Sequence, residues 1–96
     1  MSHVDDLATS LCAAVAEEIR EVRALIESVA DVLACDEYLA LNYTEQLQSF
    51  DLMVQRAQEA ADVLERMANG TCSTEAVEQV RLHVVQDRLR AALKAA

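Results

Sequence analysis

Hydrophobic residues recur every three or four positions along nearly the whole chain. In the first third the series is Ala8, Cys12, Val15, Ile19, Val22, Ile26, Val29 and Leu33. Steps alternating between four and three place these side chains on one stripe of an α-helix, the seam that a helical bundle buries. Glu17, Glu18, Arg20, Glu21 and Arg23 fall largely off it. A second series, Ala40, Tyr43, Leu47, Phe50, Val54, Ala57, Ala61, Leu64 and Ala68, stops at Asn69-Gly70. Glycine there can take the left-handed conformation that closes a helix. After the stretch TCST a third apolar series follows: Val77, Val80, Val84 or Val85, Leu89, Leu93 and Ala96. Ser73 or Thr74 is its expected cap, and Glu75 lies in its first turn. The patterns predict helices over about 4–34, 43–69 and 74–95.

The first two series share one phase, with Asp36 at the intervening position. One unbroken helix from Val4 to Asn69 would be roughly 100 Å long, which is long for a globular domain. A turn is therefore expected within Cys35–Thr44, although neither glycine nor proline marks it. Asp36 can cap a new helix there, and Asn42 with Glu45 has the form of a capping box.

Composition agrees with an all-α chain. It is 53% hydrophobic but only 3% aromatic, with no proline and a single glycine. Such a chain favours helix over sheet. Ninety-six residues allow one domain, spanning residues 1–96. Three helices can close as a monomeric three-helix bundle. The seams, however, are rich in alanine, and an elongated hairpin has little core of its own. The expected architecture is a long antiparallel helical hairpin plus a shorter third helix, pairing as a homodimer into a dimeric helical bundle.

The net charge of −9 argues against nucleic acid and anionic membrane as partners, and suits a partner with a basic face. Asp5 and Asp6 fit the positive end of the first helix dipole. Cys12, Cys35 and Cys72 are odd in number and widely spaced, which gives neither a disulfide framework nor a zinc site. They read as small packing residues in a reducing cytosol. The start MSHVDDLATS has no basic region typical of a signal peptide, and no apolar run approaches the length that spans a membrane. A cytoplasmic protein is expected. No metal site and no cofactor are predicted, and one glycine cannot build a phosphate loop.

The second helix carries a polar stripe beside its seam: Gln48, Asp51, Gln55, Gln58 and Asp62. Asp51 and Gln55 project from one face, one turn apart, and Leu52 points away from the seam beside them. The stretch LQSFDLMVQRAQE, Leu47 to Glu59, resembles the active-site helix of the CheZ family of chemotaxis phosphatases. The matching residues of its D-x-x-x-Q signature are Asp51, Leu52 and Gln55, with Leu47, Gln48 and Arg56 flanking. The likeness covers about an eighth of the chain. Met53 and Val54 stand where the family has smaller residues, and this chain is much shorter than a full CheZ.

The resemblance implies an aspartyl-phosphate phosphatase acting on the receiver domain of a response regulator. Asp51 would contact a lysine of the receiver, and Gln55 would orient water in line with the phosphoryl group. Magnesium would belong to the receiver. Gln48, Leu52, Arg56, Gln58 and Asp62 would form the contact surface around the pair. A neutral amide suits this task, because phosphoryl transfer rests on positioning and charge neutralisation. Two other readings stand beside this one. The chain could be a helical scaffold or adaptor without catalysis. It could also be a histidine phosphotransfer protein using His83, expected mid-helix, although Val84-Val85 replace the lysine and glycine usual after such a histidine.

Overall fold

A computed structural model of the chain describes the backbone of residues 3–96 and the side chains from Asp6 onward. His3, Val4 and Asp5 fall outside the described side chains, and with them the expected role of Asp5 at the helix dipole. The structure is all-α, without strands among the described residues. Among the described residues five helices follow one another: α1 His3–Ala34, α2 Glu37–Asn42, α3 Thr44–Ala68, α4 Ser73–Glu78 and α5 His83–Ala95.

The turn falls inside the expected window. The chain leaves α1 at Cys35, and Asp36 caps α2 by accepting the amide of Leu39 at 3.0 Å. The capping box does not form. Asn42 ends α2 and donates its side-chain amide back to the Tyr38 carbonyl, while α3 starts after Tyr43 without a side-chain cap. No glycine is needed because the Tyr43 amide bonds Leu39 and the Leu47 amide bonds Tyr43, carrying the hydrogen-bond ladder almost continuously around the corner. Tyr38 and Tyr43 stack edge to face, 6.4 Å apart, and both stay exposed.

α1 and α3 lie along each other. Arg20 reaches Asp62 and Glu65, whereas Ala30, Asp31 and Ala34 lie beside Thr44, Leu47 and Gln48, so the two helices run antiparallel. The α1 residues facing α3 are Cys12, Ala16, Ile19, Arg23, Ile26, Ala30 and Leu33. Only half of the expected seam is among them. Ala8, Val15, Val22 and Val29 are exposed, and Arg23, expected off the seam, is on it. The reason is geometric. The apolar arc of α1 is broader than one partner helix can cover, and α3 takes the edge that carries Cys12 and Ile19. On α3 the expected seam is largely covered, with Tyr43 the exposed exception. Met53 and Met67, beside that seam, are exposed.

The best-buried apolar cluster lies at the other end of α3. Val63 meets Ala76, Val80 and Val85, with Leu82 and Leu89 packed against them. The third predicted helix is in fact two. Ser73 is already helical, Cys72 precedes it without a side-chain cap, and the chain breaks after Glu78. Three side chains compensate the lost backbone bonds. Gln86, itself buried, donates to the carbonyls of Val77 and Glu78. Arg66 donates to the Ala76 carbonyl at 2.9 Å. Glu59 accepts both the backbone amide and the guanidinium of Arg81. His83 therefore opens α5 instead of lying mid-helix, and Val84 is exposed while Val85 is buried. Gly70, at φ +99°, closes α3: its amide bonds Met67 and that of Thr71 bonds Arg66, the paired pattern of a glycine-terminated helix. Cys12 is half-buried, but Cys35 and Cys72 are exposed free thiols, so two of the three do not pack as expected.

Candidate functional site

Asp51 and Gln55 both lie on α3 and both are exposed. Each borders a groove. Asp51 edges one of about 220 Å³, lined also by Ala30, Asp31, Thr44 and Gln48. Gln55 edges one of about 340 Å³, lined by Arg23, Gln58, Glu59, Arg81 and Leu82. Among the described residues, no hydrogen bond or ion pair uses either side chain, so both are available to a partner.

The rest of the stripe divides. Gln48 and Leu52 are exposed beside the pair, whereas Arg56 is half-buried. Gln58 and Asp62, expected within the contact surface, are partly buried and engaged. Gln58 donates to Asp62 at 2.7 Å, and Arg20 donates to the same carboxylate at 3.3 Å and also to Glu65. The stripe curls toward α1 as it descends α3, and there it meets Arg20. Partial burial works against the Arg20 charge, but its hydrogen bonds to the Glu65 and Asp62 carboxylates outweigh it and hold its pKa above the ordinary value. The contact surface available to a partner thus contracts to Gln48, Asp51, Leu52 and Gln55.

Tertiary structure adds residues that the linear pattern gave no reason to choose. Asp31 of α1 lines the Asp51 groove, so two carboxylates face one cleft. Such a cleft favours an ammonium group over any anion. Arg23 and Arg81 flank the Gln55 groove. Arg81 is tied to the buried Glu59, and Arg23 pairs with Glu27 while its buried Nε has no partner. A negative cleft and an arginine-flanked groove therefore sit side by side along α3, with Asp51 in the first and Gln55 in the second. The only sequence sign of this was the separation of Asp51 and Gln55 by one helical turn. Among the described residues, no group of three His, Cys, Asp or Glu side chains could hold a metal ion, and no helix is long and apolar enough to cross a membrane. His83 is exposed at the start of α5.

Compared with known families, curated proteins and solved structures, the chain matches none. What the fold and the site define is a class, a small acidic all-α protein with a polar pair displayed on one flank of its longest helix pair.

Proposed function

We propose that this protein binds a phosphorylated receiver domain of a response regulator and promotes hydrolysis of its aspartyl-phosphate. The observation that carries the reading is the state of the pair. Asp51 and Gln55 are exposed, unengaged and one turn apart, with Gln48 exposed beside them, while Gln58 and Asp62 further along the stripe are held by contacts within the chain.

In this reading Asp51, with Asp31 across the groove, receives a lysine of the receiver. That contact fixes the partner along α3. Gln55 then enters the receiver's phosphorylated site. Its carbonyl accepts one hydrogen of a water molecule and its amide donates toward the phosphoryl oxygens, which places the water oxygen in line with phosphorus. Water attacks, the phosphorus–oxygen bond to the receiver's aspartate breaks, and the products are inorganic phosphate and a free carboxylate. The magnesium ion that neutralises the phosphoryl oxygens belongs to the receiver, and Gln55 adds no charge against it.

The test is the loss of phosphate from a labelled receiver in the presence of this protein. Gln55→Ala should reduce the accelerated rate to the receiver's own, a loss of about 10²-fold or more, while leaving receiver binding and helicity intact. Asp51→Asn should weaken binding instead. Acceleration that survives Gln55→Ala rules out the catalytic role. Receiver binding with no acceleration by the wild-type chain would make it an adaptor.

A further inference from the structure

The hairpin has two unlike sides. Arg20 and Arg23 reach toward Gln58, Asp62 and Gln55, which defines the side that carries the polar pair. At about 100° per residue, the opposite flank of α1 carries Leu11, Val15, Val22, Leu25, Val29 and Val32. All six are exposed, Leu25 by 67% and Val32 by 73%. On α3 the flank opposite Asp51 carries Phe50, Met53, Leu64 and Met67 by the same geometry. Because the helices are antiparallel, these two flanks adjoin.

Three observations say what covers this side. The first is spacing: the bare α1 residues, with Glu18 among them, recur in steps of four and three, the same register as the inner seam, so they fit helices of the kind this chain itself supplies. The second is charge. In a chain that is 26% charged, the flank running along α3 from Gln46 to Ala68 has no charged residue, and the α1 stripe has only Glu18. Depletion of charge marks the centre of a protein interface rather than a solvated face. The third is area. The chain exposes 6796 Å², whereas a compact monomer of its mass would expose about 5,500 Å². The excess, roughly 1,300 Å², is somewhat more than the ~800 Å² per partner that a stable interface buries.

We propose that a second copy of the chain covers this side, apolar face on apolar face, so that Asp51 and Gln55 of each copy point outward. Glu18 is the one group that opposes the contact. The inference is independent of the phosphatase reading, since it needs no receiver. Sedimentation of the full chain tests it. The wild type should sediment as a dimer at low micromolar concentration. Leu25→Glu should weaken association by at least about tenfold, because it places a carboxylate in the buried stripe. Its helicity should persist, since Leu25 is exposed within one copy. Glu18→Leu should tighten the dimer by about tenfold, and this second variant reads out even if the first folds poorly. A wild type that stays a 10.6 kDa monomer at about 100 μM overturns the proposal. So does a dimer indifferent to both substitutions, or one in which a different protein is needed to protect the α1 stripe from solvent.

Discussion

Glu59 shows how much one side chain decides. It stands on the face of α3 turned toward the link between α4 and α5, away from the seam with α1, and is only 4% exposed. A lone buried carboxylate would be costly, but this one accepts the Arg81 backbone amide at 3.2 Å and its guanidinium at 3.1 Å. It therefore anchors the link between α4 and α5 and forms a wall of the groove beside Gln55. Glu59→Ala should destabilise the fold by about 1–3 kcal/mol, because it strips partners from a backbone amide and an arginine. Urea unfolding measures this, and a change below about 0.5 kcal/mol would mean the pair is dispensable. Nothing in the sequence distinguishes Glu59 from the exposed Glu65 six positions on. Asp51 and Gln55 were legible because their spacing is local. Their unengaged state was not, because it depends on where Arg20 of α1 reaches.

At the scale of elements, existence and type were legible and partition was not. The periodicity of α1 and α3 runs over many turns, and Asn69-Gly70 closes α3 where the pattern ends. The break between α4 and α5 has no glycine or proline to announce it. It is stabilised by Gln86, Arg66 and Glu59, two of them from another helix. The two short helices are further tied by Arg90, whose Nε and Nη2 donate to the two oxygens of Glu78 at 2.9 and 2.8 Å. Hydrogen bonding from Arg90 holds the Glu78 pKa below the usual carboxylate value, and Glu78 in turn raises that of Arg90. A carboxylate with a depressed folded-state pKa contributes stability that is complete above its unfolded pKa and fades as pH falls through the folded value. The tie should thus be intact at neutral pH and lost on acidification below the ordinary carboxylate range. Both groups are exposed, so the effect should be small. Thermal melts of the wild type and Glu78→Gln should differ slightly at neutral pH and converge in acid. A constant difference across that range would mean that the pairing does not contribute.

At the scale of the molecule, length and bareness go together. The chain is extended, 56 × 24 × 18 Å, with a radius of gyration of 16.4 Å, where a compact domain of this size would have about 12–13 Å. Its most fully buried side chains are the small ones of Ala16, Ala61 and Ala76. A hairpin this thin leaves one side of each long helix uncovered, and here Leu11, Val15, Val22, Leu25, Val29 and Val32 make that side of α1 apolar. Charge should then set how the proposed dimer responds to salt. Residues 1–55 carry most of the negative charge, and two copies bring those acids together. Raising ionic strength from about 0.05 to 0.5 M shortens the range of their repulsion to a few ångströms. Sedimentation at the two salt levels should show tighter association at the higher one. Association that weakens with salt would mean that ion pairs hold the copies together.

The sequence by itself determined the helical class, the two long helices and their general seams, the corner near Asp36 and the stop at Gly70. All of these rest on interactions within a turn or two of chain, which periodicity, capping and glycine chemistry encode directly. Only the tertiary structure decided which half of the broad apolar arc of α1 meets α3. It also decided that Gln58 and Asp62 are engaged while Asp51 and Gln55 are free, and that Asp31, Arg23 and Arg81 adjoin the pair. These outcomes depend on contacts between residues far apart in sequence. A helix with apolar residues over much of its circumference fixes that it will pack, but the partner that arrives fixes on which side.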